Sequence, residues 1–159
     1  MEKILFMCAN NSARSQIAEA YLKQFGKGEF QVESAGFKPT VINPLVVKVM
    51  REEGVDLSNK VTQSSFDLFK KGRTFTYIIT VCDESMDDMC PVFPGMSRRL
   101  HIPFDDPAKL EGTEKEKIEK TRAIRDKIKA TVKEIINWIH TGDIEKISDF
   151  RKTKYIKDG

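Results

Sequence analysis

The chain has 159 residues, a formal net charge of +3, 40% hydrophobic residues and 32% charged residues. This length suits one domain around one core, and the composition is ordinary for a globular protein. The small charge, mixed with acidic residues, argues against a nucleic-acid partner. No apolar run reaches the ~18 residues that a membrane span needs, and the N-terminus does not resemble a signal peptide. We therefore expect a cytoplasmic protein with no membrane partner.

Strands and helices are predicted to alternate along the chain. Short apolar runs predict strands, whereas apolar residues at helical spacing, with caps or glycine stops, predict helices. The predicted strands are 3–8, 30–36 and 75–82, and the predicted helices are 15–26, 43–54, 64–72 and 113–142. Residues 83–109, rich in Pro and Asp, are predicted as a long loop. Residues 143–159 are predicted as a C-terminal tail after a domain of residues 1–142.

This alternation predicts an α/β fold with a single domain, a mainly parallel sheet and helices on both faces. Ligands of such sheets bind at the carboxyl ends of the strands. Cys8 and Cys82 each end a predicted strand, so we expect them at the same edge of the sheet. With Cys90 the cysteine count is odd, which argues against a static disulfide framework. Buried thiols, a metal site and redox chemistry are the uses that remain.

The loop after the first strand, CANNSARS, has the composition of an oxyanion-binding loop. It should present backbone N–H groups and the positive end of the following helix. Arg14 adds a planar guanidinium that can hold an oxyanion with two hydrogen bonds. These groups would favour the thiolate of Cys8, which we predict to be a nucleophile. A buried structural Cys8 with a surface Arg14 is the alternative. The predicted oxyanion-binding residues are Ala9, Asn10, Asn11, Ser12, Ala13, Arg14 and Ser15.

The segments CANNSARS, ESAG and FDDPAK together resemble the low-molecular-weight protein tyrosine phosphatase superfamily, over roughly residues 1–140. The resemblance implies a four-stranded parallel sheet flanked by helices. It implies that Cys8 is the nucleophile and that Arg14 binds the oxyanion. It also implies that Asp106, in the Asp-Pro pair, is the general acid, with Asp105 as an alternative.

Two further cysteines, Cys82 and Cys90, make the chain resemble the thioredoxin-coupled arsenate reductases of this superfamily. By that resemblance, Cys8 attacks arsenate, and Cys82 then attacks the adduct and releases arsenite. The Cys8–Cys82 disulfide passes to Cys82–Cys90, which thioredoxin reduces. Ala108 also fits, because phosphatases of the family commonly carry an aromatic residue there. Phosphate or sulfate should compete with arsenate, no cofactor is implied, and glutathione with glutaredoxin is the alternative reductant.

Two other functions fit the same residues. A low-molecular-weight protein tyrosine phosphatase, or a phosphatase of small phosphate esters, needs only Cys8, Arg14 and Asp106. A non-enzymatic oxyanion-binding or redox-sensing protein would use Cys8 and Cys82 as a regulatory disulfide. The reductase and the redox sensor both keep the cysteines, so only turnover separates them, and both later cysteines could instead be inert buried thiols. The pair of later cysteines and Ala108 favour the reductase.

No resident metal is predicted, because the two histidines lack zinc-like spacing to the cysteines. Asn11, Glu19 and Ser34 match positions that bind a potassium ion in some members of the superfamily. The fourth, acidic ligand is replaced near Gln63. We therefore favour Glu19 as a solvated helix residue or as an acceptor that braces the loop.

Overall fold

The structure is a computed structural model that describes residues 1–82, 93 and 95–142, together with the backbone of 155–158. The strands are β1 (Glu2–Cys8), β2 (Phe30–Gly36), β3 (Tyr77–Thr80), β4 (Arg98–His101) and β5 (Tyr155–Asp158). The helices are α1 (Arg14–Gly26), α2 (Pro44–Arg51), α3 (Ser65–Lys70) and α4 (Glu114–Thr141), with a 3₁₀ turn at Pro107–Lys109. None of the helices in these described ranges is long and apolar enough to cross a membrane.

One sheet in the order β2-β1-β3-β4-β5 forms the centre of the fold. The first four strands of that order are parallel, which confirms the predicted four-stranded parallel sheet, and β5 adds an antiparallel strand beside β4. In the register of β1 with β2, Cys8 lies opposite Gly36. In the register of β1 with β3, Met7 lies opposite Thr80. The carboxyl ends of these three strands therefore meet at one edge.

The sheet is covered on both faces, and successive residues of β1 alternate between two hydrophobic clusters. Ile4, Phe6 and Cys8 belong to the larger cluster, which includes buried residues of α1, α2 and α4. Leu5 and Met7 belong to the smaller cluster, which includes a buried residue of α3. The side chain of Cys8 therefore belongs to the sheet face that α1 covers.

Strand β4 lies inside the segment that the sequence analysis predicts as a loop, so that prediction is wrong for these four residues. Their sequence, RRLH, contains one strongly apolar residue and gives little strand signal. In the fold, Leu100 is fully buried, and the Arg98 guanidinium lies 5.2 Å from the ring centre of Trp138. Tertiary contacts thus stabilise a strand that local sequence does not favour.

Other element boundaries differ modestly from the predictions. The helix predicted over 43–54 ends at Arg51, and the strand predicted over 75–82 is limited to Tyr77–Thr80. Strand β5 lies within the segment predicted as a tail. The division between a domain of 1–142 and a tail of 143–159 stays a prediction.

Candidate active site

The loop predicted to bind an oxyanion connects the end of β1 to the start of α1. Its path is fixed by three backbone hydrogen bonds from the segment 38–43. The N–H of Lys38 donates to the carbonyl of Ala9 (2.9 Å), and the N–H of Thr40 donates to that of Asn10 (3.1 Å). The N–H of Asn43 donates to the carbonyl of Ser12 (2.8 Å). Because three of its carbonyl oxygens are occupied in this way, the loop holds one curvature.

Cys8 is buried at the end of β1, beside the N-terminus of α1. Its Sγ accepts a hydrogen bond from the backbone N–H of Asn11 at 3.2 Å. The Ser15 hydroxyl lies 2.9 Å from the same sulfur, and it can donate to a thiolate. A backbone donor, a hydroxyl donor and the positive end of a helix all favour the anionic form of sulfur. The surroundings of Cys8 therefore suit a nucleophilic thiolate.

Asn11 holds the loop through both ends of its side-chain amide. Its backbone is left-handed, with φ of 53°, a region that Asn tolerates better than most residues. Its Nδ2 donates to the hydroxyls of Ser15 and Ser34, both at 2.9 Å. Its Oδ1 accepts from Gln16 Nε2 and from the backbone N–H of Gln63, both at 3.0 Å. The amide is fully used, so the donor that faces Cys8 is held in place.

Gly36 lets the end of β2 approach the loop closely. A Cβ at this position would lie 2.6 Å from the backbone nitrogen of Asn11 and 2.9 Å from the carbonyl oxygen of Ala9. These are backbone atoms that cannot swing away as a side chain would. The sequence offers a weak signal for this contact, since a glycine at the end of a strand often marks a close backbone approach.

Arg14 opens α1 with a buried side chain, and the loop before the 3₁₀ turn meets it. Its Nη1 donates to the carbonyl of Phe104 at 3.1 Å, and its Nη2 lies 3.5 Å from Asp106 Oδ2. Asp106 Oδ1 accepts the N–H of Ala108 at 2.9 Å, which fixes the orientation of the carboxylate. Asp105 is exposed and lines a separate cavity beside α4. The fold therefore brings Asp106, of the two carboxylates, to the arginine.

Cys82 is buried two residues beyond β3, in the same hydrophobic cluster as Cys8. The N–H of Val81 donates to the carbonyl of Met7 at 2.8 Å, so the chains that carry the two cysteines run side by side. The prediction that they share one edge of the sheet is confirmed. Cys90 lies outside the described residues.

The three residues considered for a potassium site lie in one buried network. Ser34 donates to Glu19 Oε1 at 2.6 Å and accepts from Asn11. Glu19 Oε2 accepts from Lys23 Nζ at 2.5 Å and from Lys60 Nζ at 2.6 Å. Burial raises the pKa of Glu19, but the hydrogen bonds from both lysines and from Ser34 outweigh it and hold the pKa below its usual value. Two ammonium groups thus already neutralise this carboxylate.

Within the part of the chain that the structure describes, no group of three His, Cys, Asp or Glu side chains could hold a metal ion. Sequence reasoning missed Lys23, Lys60 and Gln16 as members of the site. The i, i+4 spacing of Glu19 and Lys23 is a signal for an ion pair. No local signal points to Lys60, which reaches the site from a distant loop.

Comparisons with known proteins show which proteins the chain is similar to. The sequence model described as low molecular weight phosphotyrosine protein phosphatase matches residues 3–146. The arsenate reductase of Halalkalibacterium halodurans is 39% identical over 131 residues, with 82% of this chain and 91% of that protein covered. The arsenate reductase of Bacillus subtilis is 39% identical over 132 residues, with 82% and 92% covered.

A solved structure of a thioredoxin-dependent arsenate reductase from Corynebacterium glutamicum superposes with a TM-score of 0.65 at 26% identity. The match covers 90% of this chain and 63% of that chain. Both curated relatives exceed 30% identity across most of their length, and the family match covers the four parallel strands, the loop and α4. The chain therefore belongs to the low molecular weight phosphotyrosine protein phosphatase family.

Proposed function

We propose that the chain is an arsenate reductase that works by a Cys8–Cys82–Cys90 thiol–disulfide relay. The observation that carries the proposal is the pairing of an oxyanion-type loop with a second buried cysteine just beyond the end of the neighbouring strand β3. Cys8 and Cys82 lie in one hydrophobic cluster at the carboxyl edge of the sheet. The names of the curated relatives and of the Corynebacterium glutamicum structure support the same activity.

In the first step the Cys8 thiolate attacks the arsenic(V) of bound arsenate. The loop N–H groups and Arg14 hold the oxyanion, in competition with phosphate or sulfate. A sulfur–arsenic bond forms, and one arsenic–oxygen bond breaks. Asp106, beside Arg14 at 3.5 Å, supplies the proton with which that oxygen leaves as water.

In the second step the Cys82 sulfur attacks Cys8. A Cys8–Cys82 disulfide forms, and the electron pair of the sulfur–arsenic bond stays on arsenic, which leaves as arsenite. The two thiols thus provide the two electrons that reduce arsenic(V) to arsenic(III). Cys90 then attacks Cys82, frees Cys8 and leaves a Cys82–Cys90 disulfide. Thioredoxin is the proposed reductant of that disulfide, by thiol–disulfide exchange, and the name of the Corynebacterium glutamicum structure supports this partner.

The test is arsenate-dependent NADPH oxidation by the purified protein with thioredoxin and thioredoxin reductase. The wild-type chain should turn over many times. Cys90→Ser should release no more than one arsenite per chain, and Cys82→Ser should release none, because each lacks one exchange. Both variants should still hydrolyse p-nitrophenyl phosphate, which needs only the loop and the acid. Cys8→Ser should lose both activities.

Equal loss of both activities in Cys82→Ser and Cys90→Ser would contradict the relay. A glutathione and glutaredoxin mixture in place of the thioredoxin system separates the two reductants. Turnover with that mixture alone would replace thioredoxin as the partner while leaving the relay intact.

A phosphatase is the second candidate function, favoured by the contact of Arg14 with Asp106. Phosphoryl transfer to a cysteine requires an oxyanion-binding loop, a nucleophile and an acid. The loop donates to Cys8 through the Asn11 N–H, and Asp106 lies beside Arg14 at the end of the same loop. Hydrolysis of p-nitrophenyl phosphate without arsenate-dependent turnover in either reductant system would establish this function in place of the reductase.

A further inference from the structure

A buried carboxylate lies beneath the oxyanion loop, and no step of the proposed reaction uses it. The Glu19 side chain is 4% exposed, and it sits one turn into α1. A carboxylate removed from water is costly unless cations and hydrogen bonds compensate for the lost hydration. Lys23, Lys60 and Ser34 provide that compensation, so the carboxylate is held as an anion.

A continuous chain of hydrogen bonds leads from this carboxylate to the Cys8 sulfur. Glu19 Oε1 accepts from Ser34 at 2.6 Å, and Ser34 accepts from Asn11 Nδ2 at 2.9 Å. The same amide nitrogen donates to Ser15 Oγ at 2.9 Å, which lies 2.9 Å from Cys8 Sγ. Because Ser34 gives its proton to Glu19, its oxygen is left to accept from Asn11. The carboxylate therefore keeps Ser34 as an acceptor for Asn11 Nδ2, and the same nitrogen donates to Ser15 beside Cys8.

Lys60 contributes to this network in a second way. Its segment continues to Gln63, whose backbone N–H donates to Asn11 Oδ1 at 3.0 Å. The carbonyl of Gln63 accepts the N–H of Gly36 at 2.9 Å. Anchoring Lys60 on Glu19 thus holds the segment 60–63 against both the loop and the end of β2.

The two lysines are not equivalent. Lys23 lies on the same helix as Glu19 at i, i+4, so its hydrogen bond neutralises the carboxylate without tying it to another segment. Lys60 reaches Glu19 from another segment, and its side chain is 35% exposed. A cavity of about 250 Å³, lined in part by Leu57 and Lys60, opens beside the carboxylate. That cavity gives a small cation room to approach Glu19 when a substitution removes the charge of Lys60 and keeps the length of its side chain.

We propose that Lys60 is a positioning residue of the active site, whose ammonium group holds Glu19 so that Ser34 and Asn11 aim the hydrogen-bond donors of the loop at Cys8. It acts through Glu19 and does not touch the oxyanion. The inference deepens the proposed function, and its readouts do not depend on arsenate reduction.

The test compares Lys60→Met, which keeps the length of the side chain and removes the charge, with a matched control, Lys48→Met. Lys48 pairs with Glu114 at 2.8 Å on the surface, and both side chains are more than half exposed. The readouts are the dissociation constant for inorganic phosphate and the rate at which iodoacetamide alkylates Cys8 at neutral pH. Both are measured in a Cys82→Ser, Cys90→Ser background.

Lys60→Met should weaken phosphate binding and slow alkylation, each by about fivefold, the equivalent of one net hydrogen bond of ~1 kcal/mol. Lys60→Arg should restore both, and methylammonium should restore part of the loss by entering the cavity. Lys48→Met should change neither. The effects of Lys60→Met and Glu19→Gln should be non-additive, since one residue acts through the other.

Equal phosphate affinity and alkylation rates in Lys60→Met and Lys48→Met would overturn the proposal. Additive effects of Lys60→Met and Glu19→Gln would overturn it as well, since Lys60 would then act independently of Glu19. If the chain does not reduce arsenate, only the proposed substrate is wrong. Phosphate binding and Cys8 alkylation can still be compared between the variants.

Discussion

Asn11 shows how much of the site depends on single residues. Its left-handed backbone turns the N–H toward Cys8 Sγ, and its amide makes four hydrogen bonds to other residues. A residue with φ of 53° is strained unless its surroundings stabilise it. Here the side chain satisfies all its donors and acceptors in a buried place, which compensates for the strained backbone.

Gly36→Ala should damage the site without removing any polar group. The added Cβ would come within 2.6 Å of the Asn11 backbone nitrogen, so either β2 or the loop must move. Because small misplacements of reacting groups are costly, we expect hydrolysis of p-nitrophenyl phosphate to fall by about tenfold or more.

Gly54→Ala is the control for this prediction. Its Cβ would meet nothing within 4 Å, but its φ of 79° makes any side chain strained. It should lower the melting temperature and leave the phosphatase rate per folded chain unchanged. A Gly36→Ala protein with the wild-type rate would show that the loop tolerates the displacement.

Among the elements, α1 links the site to the rest of the core. Its first turn carries Arg14 and Ser15, and further along Tyr21 is buried in the cluster that includes α4. The Tyr21 hydroxyl donates to Glu53 Oε1 at 3.1 Å, and Lys129 of α4 donates to the same oxygen at 2.8 Å. This cluster joins α1 to α4 through a residue that follows α2.

The hydrogen-bonded group of Tyr21, Glu53 and Lys129 should make the free energy of unfolding depend on pH in the alkaline range. Burial raises the pKa of Tyr21, and the charge and hydrogen bond of Glu53 add to the rise. Above the ordinary tyrosine pKa of 10.0 the unfolded chain releases this proton, whereas the folded chain keeps it. The stabilisation is therefore complete below pH 10 and is lost as the pH rises toward the folded-state pKa.

Tyr21→Phe tests this expectation. At neutral pH it should lower the free energy of unfolding by ~1 kcal/mol, because it removes one hydrogen bond and leaves the Glu53 carboxylate with one donor fewer. The difference in the free energy of unfolding between wild type and variant should become smaller as the pH rises above 10. Urea unfolding at a series of pH values measures the gap, and a constant or widening gap would contradict the prediction.

In the molecule as a whole, β5 covers the edge of the parallel sheet that β4 would otherwise form. Strand β5 pairs with β4 in antiparallel register, with Arg98 opposite Asp158. Without that pairing, β4 would present unpaired backbone groups at the edge of the sheet. Exposed edges of this kind invite pairing with other chains. The site lies at the carboxyl ends of β1 and β3, one strand or more away from β5.

A chain that ends at residue 142 should therefore fold and bind phosphate as the full chain does, but it should self-associate more readily. The loop, Arg14 and Asp106 all lie within residues 1–142. Phosphate titration and size-exclusion chromatography measure the two properties. Loss of phosphate binding in a monomeric truncated chain would contradict the predicted domain boundary at 142.

The sequence alone was sufficient for the elements whose signals are local. The sequence predicts the strand at 30–36 with its observed bounds and a helix over 113–142, where the structure has α4 with a capping box between Thr113 and Glu116 at its start. The same holds for the order of β1, loop and α1, because an apolar run, small residues and helical spacing follow one another directly. Strand β4 was missed since its stability depends on Leu100 and Trp138, far apart in sequence.

The order of residues along the chain predicts the reactive groups and the element on which each one lies. Which of these groups come into contact depends on the tertiary fold. It brought Gly36 and Gln63 against Asn11, Asp106 to Arg14, and Lys60 to Glu19. The physical reason is that helices, caps and single strands depend on neighbours within a few residues. Contacts between loops depend instead on strand order, on register and on how helices pack across the sheet.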